Sequence, residues 1–196
     1  MTEKTHFKEA FRQIDAANSE DPNKETHKGR EYPKEFLYSE RMSKWLTTLD
    51  PKASEEVQLA ARSQHLCRWK IPRDQYPLGR VGYLNWRKTL KKFHAEETGK
   101  ILMANGFHDE TISRVQALIR KENLKKDRES QLLEDVTCLV FLEHYFLDFS
   151  EKHDEEKLIH ILQRTWKKMS ETGRKAALKI EYSPTARALI EKALNP

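Results

Sequence analysis

Apolar residues recur at helical spacing along most of the chain, and the interruptions mark out a succession of helices. Phe7, Ala10, Phe11, Ile14 and Ala17 predict a first helix over 4–17. The pattern then lapses over 18–33, NSEDPNKETHKGREYP, where Pro, Gly and Asn leave a long polar connection. A structureless stretch of that length in a small domain points to function or mobility, and its Asp21-Pro22-Asn23 turn is placed to close over a pocket. Tyr38, Met42, Trp45 and Leu49 align along a second helix over 34–49, which ends at Asp50-Pro51.

Ser54, followed by Glu55 and Glu56, caps a third helix running to about Trp69. The segment 71–83, IPRDQYPLGRVGY, holds two of the seven prolines and two of the six glycines, which makes it the strongest loop signal. A fourth helix over 83–104 stops at Asn105-Gly106, a left-handed cap. Further helices follow over 108–121, with ENLKKDRES as a polar exit, then over 132–149 and 154–169. Two short pieces, 171–180 and 184–194, complete the chain, the second with Pro184 in its first turn. Asp154 reads as a helix cap rather than as half of a His153-Asp154 metal pair. With no repeat and no competing strand pattern, the expected fold is an all-α bundle of about seven to nine helices in a single domain.

Composition agrees with one soluble core: 196 residues, 37% hydrophobic and 34% charged, with few glycines and many helix-forming Glu, Lys and Arg. No run approaches membrane-spanning length and MTEKTHFKEAF lacks a signal-peptide centre, so a cytoplasmic protein without a membrane partner is expected. Cys67 and Cys138 have no partner at metal-ligand spacing and read as packing thiols in a reducing compartment. A formal charge of +5 favours an anionic partner only mildly, because both signs are interspersed along most of the chain.

Two carboxylates disturb the apolar faces. Glu97 falls among Trp86, Leu90, Phe93, Ile101 and Ala104, and Glu143 among Leu132, Val136, Leu139, Val140 and Leu147. Carboxylates rarely sit in such places without a partner. His94, Arg87 and Tyr83 flank Glu97, while His144 and Asp135 flank Glu143; Gln64, Arg68 and His65 come from the third helix. A buried ion-pair network in which Arg68 and Arg87 neutralise the glutamates is one meaning, and a functional site is the other. His94-x-x-Glu97 could hold one divalent ion, whereas the adjacent Glu143-His144 point about 100° apart and do not support a symmetric di-metal box. Arg62, Arg68, Arg73, Arg80 and Arg87 are interleaved with Trp69, Tyr76, Tyr83 and Trp86, a composition suited to phosphate and base as well as to an ordinary surface.

The segments IDAANSEDPN, PKEFLYSERM, LAARSQHLCRWKIPRDQYPLGRVGYLNWRKTLKKFHAEETGKIL, LEDVTCLVFLEHYF and KHDEEKLIHILQRTWKKMS resemble the uncharacterised family labelled domain of unknown function 4202, over essentially the whole chain. More distantly, LAARSQHL, FHAEETGKILMANGFHDETISRVQALI and LEDV are similar to the HD superfamily of helical metal-dependent phosphohydrolases. That likeness sets Gln64-His65 in the place of the His-Asp pair, Tyr38 or Ser39 in that of the first His, and Asp135 in that of the last ligand. His94 matches a histidine used in some members. It implies an HD-like arrangement of helices around a metal site that lacks its first ligand and its His-Asp order.

The expected site is a pocket between the third, fourth and sixth helices, rimmed by 71–83. Gln64, Arg68, Arg73, Arg80, Tyr83, Arg87 and Glu143 are its ligand-binding candidates, and His65, His94 and Glu97 its acid–base candidates. His65, His94 and Asp135 would hold a divalent metal ion. The expected function is binding of an anionic small molecule, phosphorylated or nucleotide-like, with hydrolysis left open. A non-catalytic module for RNA or another polyanion, and a metal-dependent oxidase on the same frame, are the alternatives.

Overall fold

The computed structural model describes residues 3–124 and 126–194; Lys125, in the polar exit of the fifth helix, lies outside them. The protein is all-α: the described residues form ten helices and one two-stranded hairpin. They make up two compact units, one taking the chain up to Lys44 with Lys52–Glu122, the other Trp45–Pro51 with the chain from Asn123 on.

In the first unit, α1 (Glu3–Ser19), α3 (Glu55–Arg62), α4 (Gly79–Ala104) and α5 (Asp109–Arg120) pack together, α4 and α3 each lying against both α1 and α5. The first turns of α2 (Lys34–Leu49) join them, and Ile14, Met42, Leu59, Leu66, Leu102 and Leu118 are fully buried. The caps follow the sequence: Ser54 Oγ accepts from Val57 N at 3.3 Å, and Gly106 closes α4 at φ 76°.

The polar connection over 18–33 is ordered. Lys24–His27 (β1) and Arg30–Pro33 (β2) pair antiparallel, from Lys24 opposite Pro33 to His27 opposite Arg30. Lys28 (φ 51°) and Gly29 (φ 75°) supply the two positive-φ positions that a tight hairpin turn needs. Strands of four residues with no apolar face leave no alternating pattern to read, which is why the pairing was hidden. Arg41 of α2 anchors the hairpin through a 2.5 Å ion pair with Glu25.

α3 ends at Arg62, seven residues before the expected Trp69. Turns carry the chain through 63–67, Cys67 adopts left-handed φ 53°, and a single 3-10 turn spans Arg68–Lys70. His65 and Arg68 therefore project from irregular backbone, not from a helix face.

The second unit contains α6 (Arg128–Val140), a π-helical segment over Phe141–Tyr145, α7 (Phe146–Ser150), α8 (Glu155–Lys168), α9 (Glu171–Ala177) and α10 (Pro184–Leu194). Leu139, Leu142, Phe146, Leu158, Leu162 and Ile190 form its core, with Trp45 and Leu49 packed against it. Asp154 caps α8 by accepting from Lys157 N at 2.9 Å, the role its position suggested.

Neither misplaced glutamate lies at the centre of a buried face. On α4 the buried line runs Gly82, Trp86, Leu90, His94 and Thr98, so His94 takes the central place. Steps of four residues drift around a 3.6-residue helix, and Glu97 is left half-buried at the margin, paired with Lys100 at 2.5 Å. The expected 132–149 helix is interrupted by the π segment, whose wider turn resets the phase. Leu142 and Phe146 turn inward, and Glu143 opens to solvent. Both cysteines are buried and in no disulfide among the described residues, and no helix among the described residues is long and apolar enough to cross a membrane.

Candidate functional site

A polar cluster does lie in the first unit, but its carboxylate is Glu35. This residue stands one turn before Tyr38 and two before Met42, on the inward side of α2, and only 7% of it is exposed. Buried Asp21 fixes the entry to that helix: Oδ1 accepts from Asn23 N and Nδ2, and Oδ2 accepts from Glu35 N at 3.0 Å. Buried Asn18 accepts from Cys67 N at 3.1 Å, which holds the left-handed residue after α3. The polar connection thus pins both strands of chain that carry the cluster.

His65 Nδ1 lies 3.0 Å from Glu35 Oε2, and its Nε2 lies 3.1 Å from Arg68 Nη1. These partners assign the tautomer: Nδ1–H donates to the carboxylate, and Nε2 accepts from the guanidinium. Tyr38 stacks on the imidazole with ring centroids 3.8 Å apart and planes 9° from parallel. Arg68 Nε stands 3.7 Å from Glu35 Oε1, and its guanidinium covers Trp86 at 4.7 Å. Below them, His94 is 2% exposed, with Nδ1–H donating to Leu66 O at 2.7 Å. Its Nε2 is buried with no hydrogen-bond partner among the described residues.

Burial holds His65 well below the usual imidazole range, and Arg68, Arg87, Lys121 and Lys34 all act in the same direction. His94 is pushed down to about 3, first by burial and then by His65. Burial raises Glu35 above the usual carboxylate range against the pull of Arg68. Both imidazoles are therefore neutral, and the buried carboxylate beside them is acted on by Arg68 and Lys34.

Trp86 organises the rim. Its Nε1 donates to Ile71 O at 2.9 Å, and Arg73, also over its ring, donates to Tyr76 O at 2.8 Å and Pro77 O at 2.9 Å. Gly82 allows the loop to close on α4, since a Cβ there would lie 1.9 Å from Pro77 O.

The family described as Domain of unknown function (DUF4202) matches residues 8–190. The chain belongs to this family. No curated protein and no solved structure matches it.

Among the sequence-predicted residues of this DUF4202 chain, His65, Arg68 and His94 come together, and Arg87 and Tyr83 act electrostatically on Arg68. Gln64 is buried nearby in sequence and donates to Ile119 O at 3.4 Å. Arg73 serves the loop carbonyls, Arg80 is exposed, and Glu97 pairs with Lys100. Glu143 and Asp135 belong to the second unit. Trp45 Nε1 donates to Glu143 at 2.6 Å, with His144 at 3.0 Å from the same oxygen. Asp135 accepts from Ser170 N at 2.8 Å and from Ser170 Oγ, which fixes the start of α9.

No group of three or more His, Cys, Asp or Glu side chains among the described residues is arranged to hold a metal. The donors that do meet, two imidazoles and Glu35, have the Arg68 guanidinium set among them, which does not fit a divalent cation. Glu35, Lys34 and Lys121 are the members sequence reasoning missed, whereas Trp86 was named among the aromatics beside the arginines. The spacing Glu35, Tyr38, Met42 carried the signal for the first of them.

Proposed function

We propose that the first unit binds a small phosphorylated ligand at Arg68 and Arg87. The observation that carries this is a charge imbalance: Arg68 donates to His65 at 3.1 Å, Arg87 and Lys34 act electrostatically on the same ring, and Glu35 supplies the buried negative charge beside it. A phosphate would relieve that excess, and guanidinium forks match its oxygens in pairs. Arg87 is half-buried and has no hydrogen-bond or ion-pair partner among the described residues, so its charge is available. Convergence of these cations on one imidazole favours a small ligand over a polymer tracked along a stripe.

Hydrolysis enters in one way. As the residues stand, His65 Nε2 is occupied by Arg68 and cannot accept a proton from water. A phosphate that draws the Arg68 fork to itself would free Nε2 while Glu35 still orients the ring through Nδ1.

Thermal shift with inorganic phosphate, ribose 5-phosphate, adenosine monophosphate and poly(U) tests the proposal, on the parent and on Arg87→Ala. A phosphorylated small molecule should raise the melting temperature of the parent and not that of the folded variant. No shift with any small phosphate, equal shifts in both proteins, or a response to poly(U) alone would overturn it. Release of inorganic phosphate from a ligand that binds would extend the function from binding to hydrolysis.

A further inference from the structure

We propose that the corner at Leu78 and the first turns of α4 dock on an anionic lipid surface. Leu78 is 95% exposed, Val81 74%, Leu84 53% and Tyr83 45%; these are four of the seven large apolar side chains exposed among the described residues. Scattered exposed apolar residues are ordinary, but four within seven positions form a patch. Glycine builds the corner. Gly79 takes φ 85°, and Gly82 lies so close to Pro77 O that the loop turns back at Leu78 and leaves its side chain clear of the protein.

The charge along this stretch is mainly positive: Arg80, Arg87, Lys88, Lys91 and Lys92 stand between Asp74 and Glu96, and of these Lys92 pairs with Glu96 at 3.7 Å. Arg80, Lys88 and Lys92 are exposed on the same helix as Val81 and Leu84.

This combination selects among occupants. A symmetric pair of copies would bring two segments of like charge together. Single-stranded nucleic acid stacks its bases on aromatic rings, and the three most exposed apolar residues here are aliphatic. A partner helix seats in a groove, whereas Leu78 stands on a corner. A bilayer surface deforms around a projecting apolar tip, and its anionic headgroups meet the flanking cations. Such docking involves no spanning helix, in keeping with the absence of one among the described residues. Arg87 serves the phosphate site, and the docking surface stands without it on the exposed Arg80, Lys88 and Lys92.

Co-sedimentation of the full chain with phosphatidylcholine vesicles, with and without phosphatidylserine, tests the proposal. Binding should require phosphatidylserine, weaken with added salt, and fall by about tenfold or more in a Leu78→Ser, Val81→Ser, Leu84→Ser variant. A Lys88→Ser, Lys92→Ser variant should lose affinity as well, and it decides the matter if circular dichroism shows the triple variant unfolded. No binding to phosphatidylserine vesicles would overturn the proposal, as would equal binding by a folded triple variant. Retention of poly(U) but not of vesicles would assign the surface to nucleic acid instead.

Discussion

Arg68 donates through Nη1 to His65 Nε2 at 3.1 Å, so the imidazole nitrogen opposite Glu35 is spent on a guanidinium. The ring is thereby neutral, fixed in one tautomer, and held flat against Tyr38. Each member depends on the others: Glu35 needs the Nδ1–H and the nearby cation, and Arg68 needs the carboxylate, because all are largely withdrawn from water.

Substitutions at Glu35 should separate charge from hydrogen bonding. Glu35→Ala leaves His65 Nδ1–H without its acceptor and Arg68 without its counter-charge, which should cost about 3 kcal/mol or more. Glu35→Gln retains an acceptor and removes a charge that burial already disfavours, so its cost should stay near 1 kcal/mol. Denaturant unfolding of both variants checks this, and equal losses would show that the carboxylate charge, not the hydrogen bond, is the stabilising feature.

Stability should fall in mild acid. His65 and His94 are held below their ordinary value of 6.5 in the folded chain, so below that pH the unfolded chain binds more protons and acid favours unfolding. Each imidazole contributes up to about 1.4 kcal/mol per pH unit, for His94 until the pH nears about 3. Glu35 acts in the opposite sense: its raised value means the folded chain binds the extra proton just above 4.5, which offsets part of the loss. Two imidazoles outweigh one carboxylate between pH 6.5 and the raised Glu35 range. His94→Asn, which keeps a donor where Nδ1–H meets Leu66 O, should remove one imidazole's share of the slope in unfolding measured from about pH 7.5 to about 5.5.

The carboxylates singled out by sequence should behave unlike one another. Glu97→Gln breaks a pair with a largely exposed lysine and should change stability by no more than about 0.5 kcal/mol. Asp135→Ala removes the acceptor for both Ser170 N and Ser170 Oγ at the start of α9 and should cost about 2 kcal/mol. Thermal unfolding ranks the two, and a larger loss for Glu97→Gln would contradict the contacts described.

The all-α class, the caps and the short C-terminal pieces were legible, and the caps rest on a local rule: Ser54, Asp154 and Gly106 act within one turn of their own positions. His65, Arg68 and His94 were legible as candidates, but their true carboxylate partner was not. Extending a uniform 3.6-residue phase through α4 and across the π segment moved Glu97 and Glu143 inward on paper. Glu35 was passed over because a glutamate in the first turn of a helix already has a conventional role beside the positive end of the dipole. The hairpin was hidden for a different reason, since its register comes from the Lys28-Gly29 turn and from Asp21 and Arg41, not from an apolar face.

Gly82→Ala should loosen the rim of the candidate site without altering Glu35, His65 or Arg68. An alanine Cβ would fall 1.9 Å from Pro77 O, and backbone on both sides leaves no flexible side chain to yield. The loop must move off α4, which strains the Arg73 contacts to Tyr76 O and Pro77 O and the Trp86 bond to Ile71 O. Overpacking of this kind costs about 1–3 kcal/mol. Arg73→Ala attacks the same loop from its other end, so the two losses should not add: once Gly82→Ala has displaced Pro77, removing Arg73 should cost at least about 0.5 kcal/mol less than in the parent. Denaturant unfolding of the two single variants and the double variant measures that coupling. Simple additivity would mean that glycine and arginine hold the loop independently, and the rim would then need another source of rigidity.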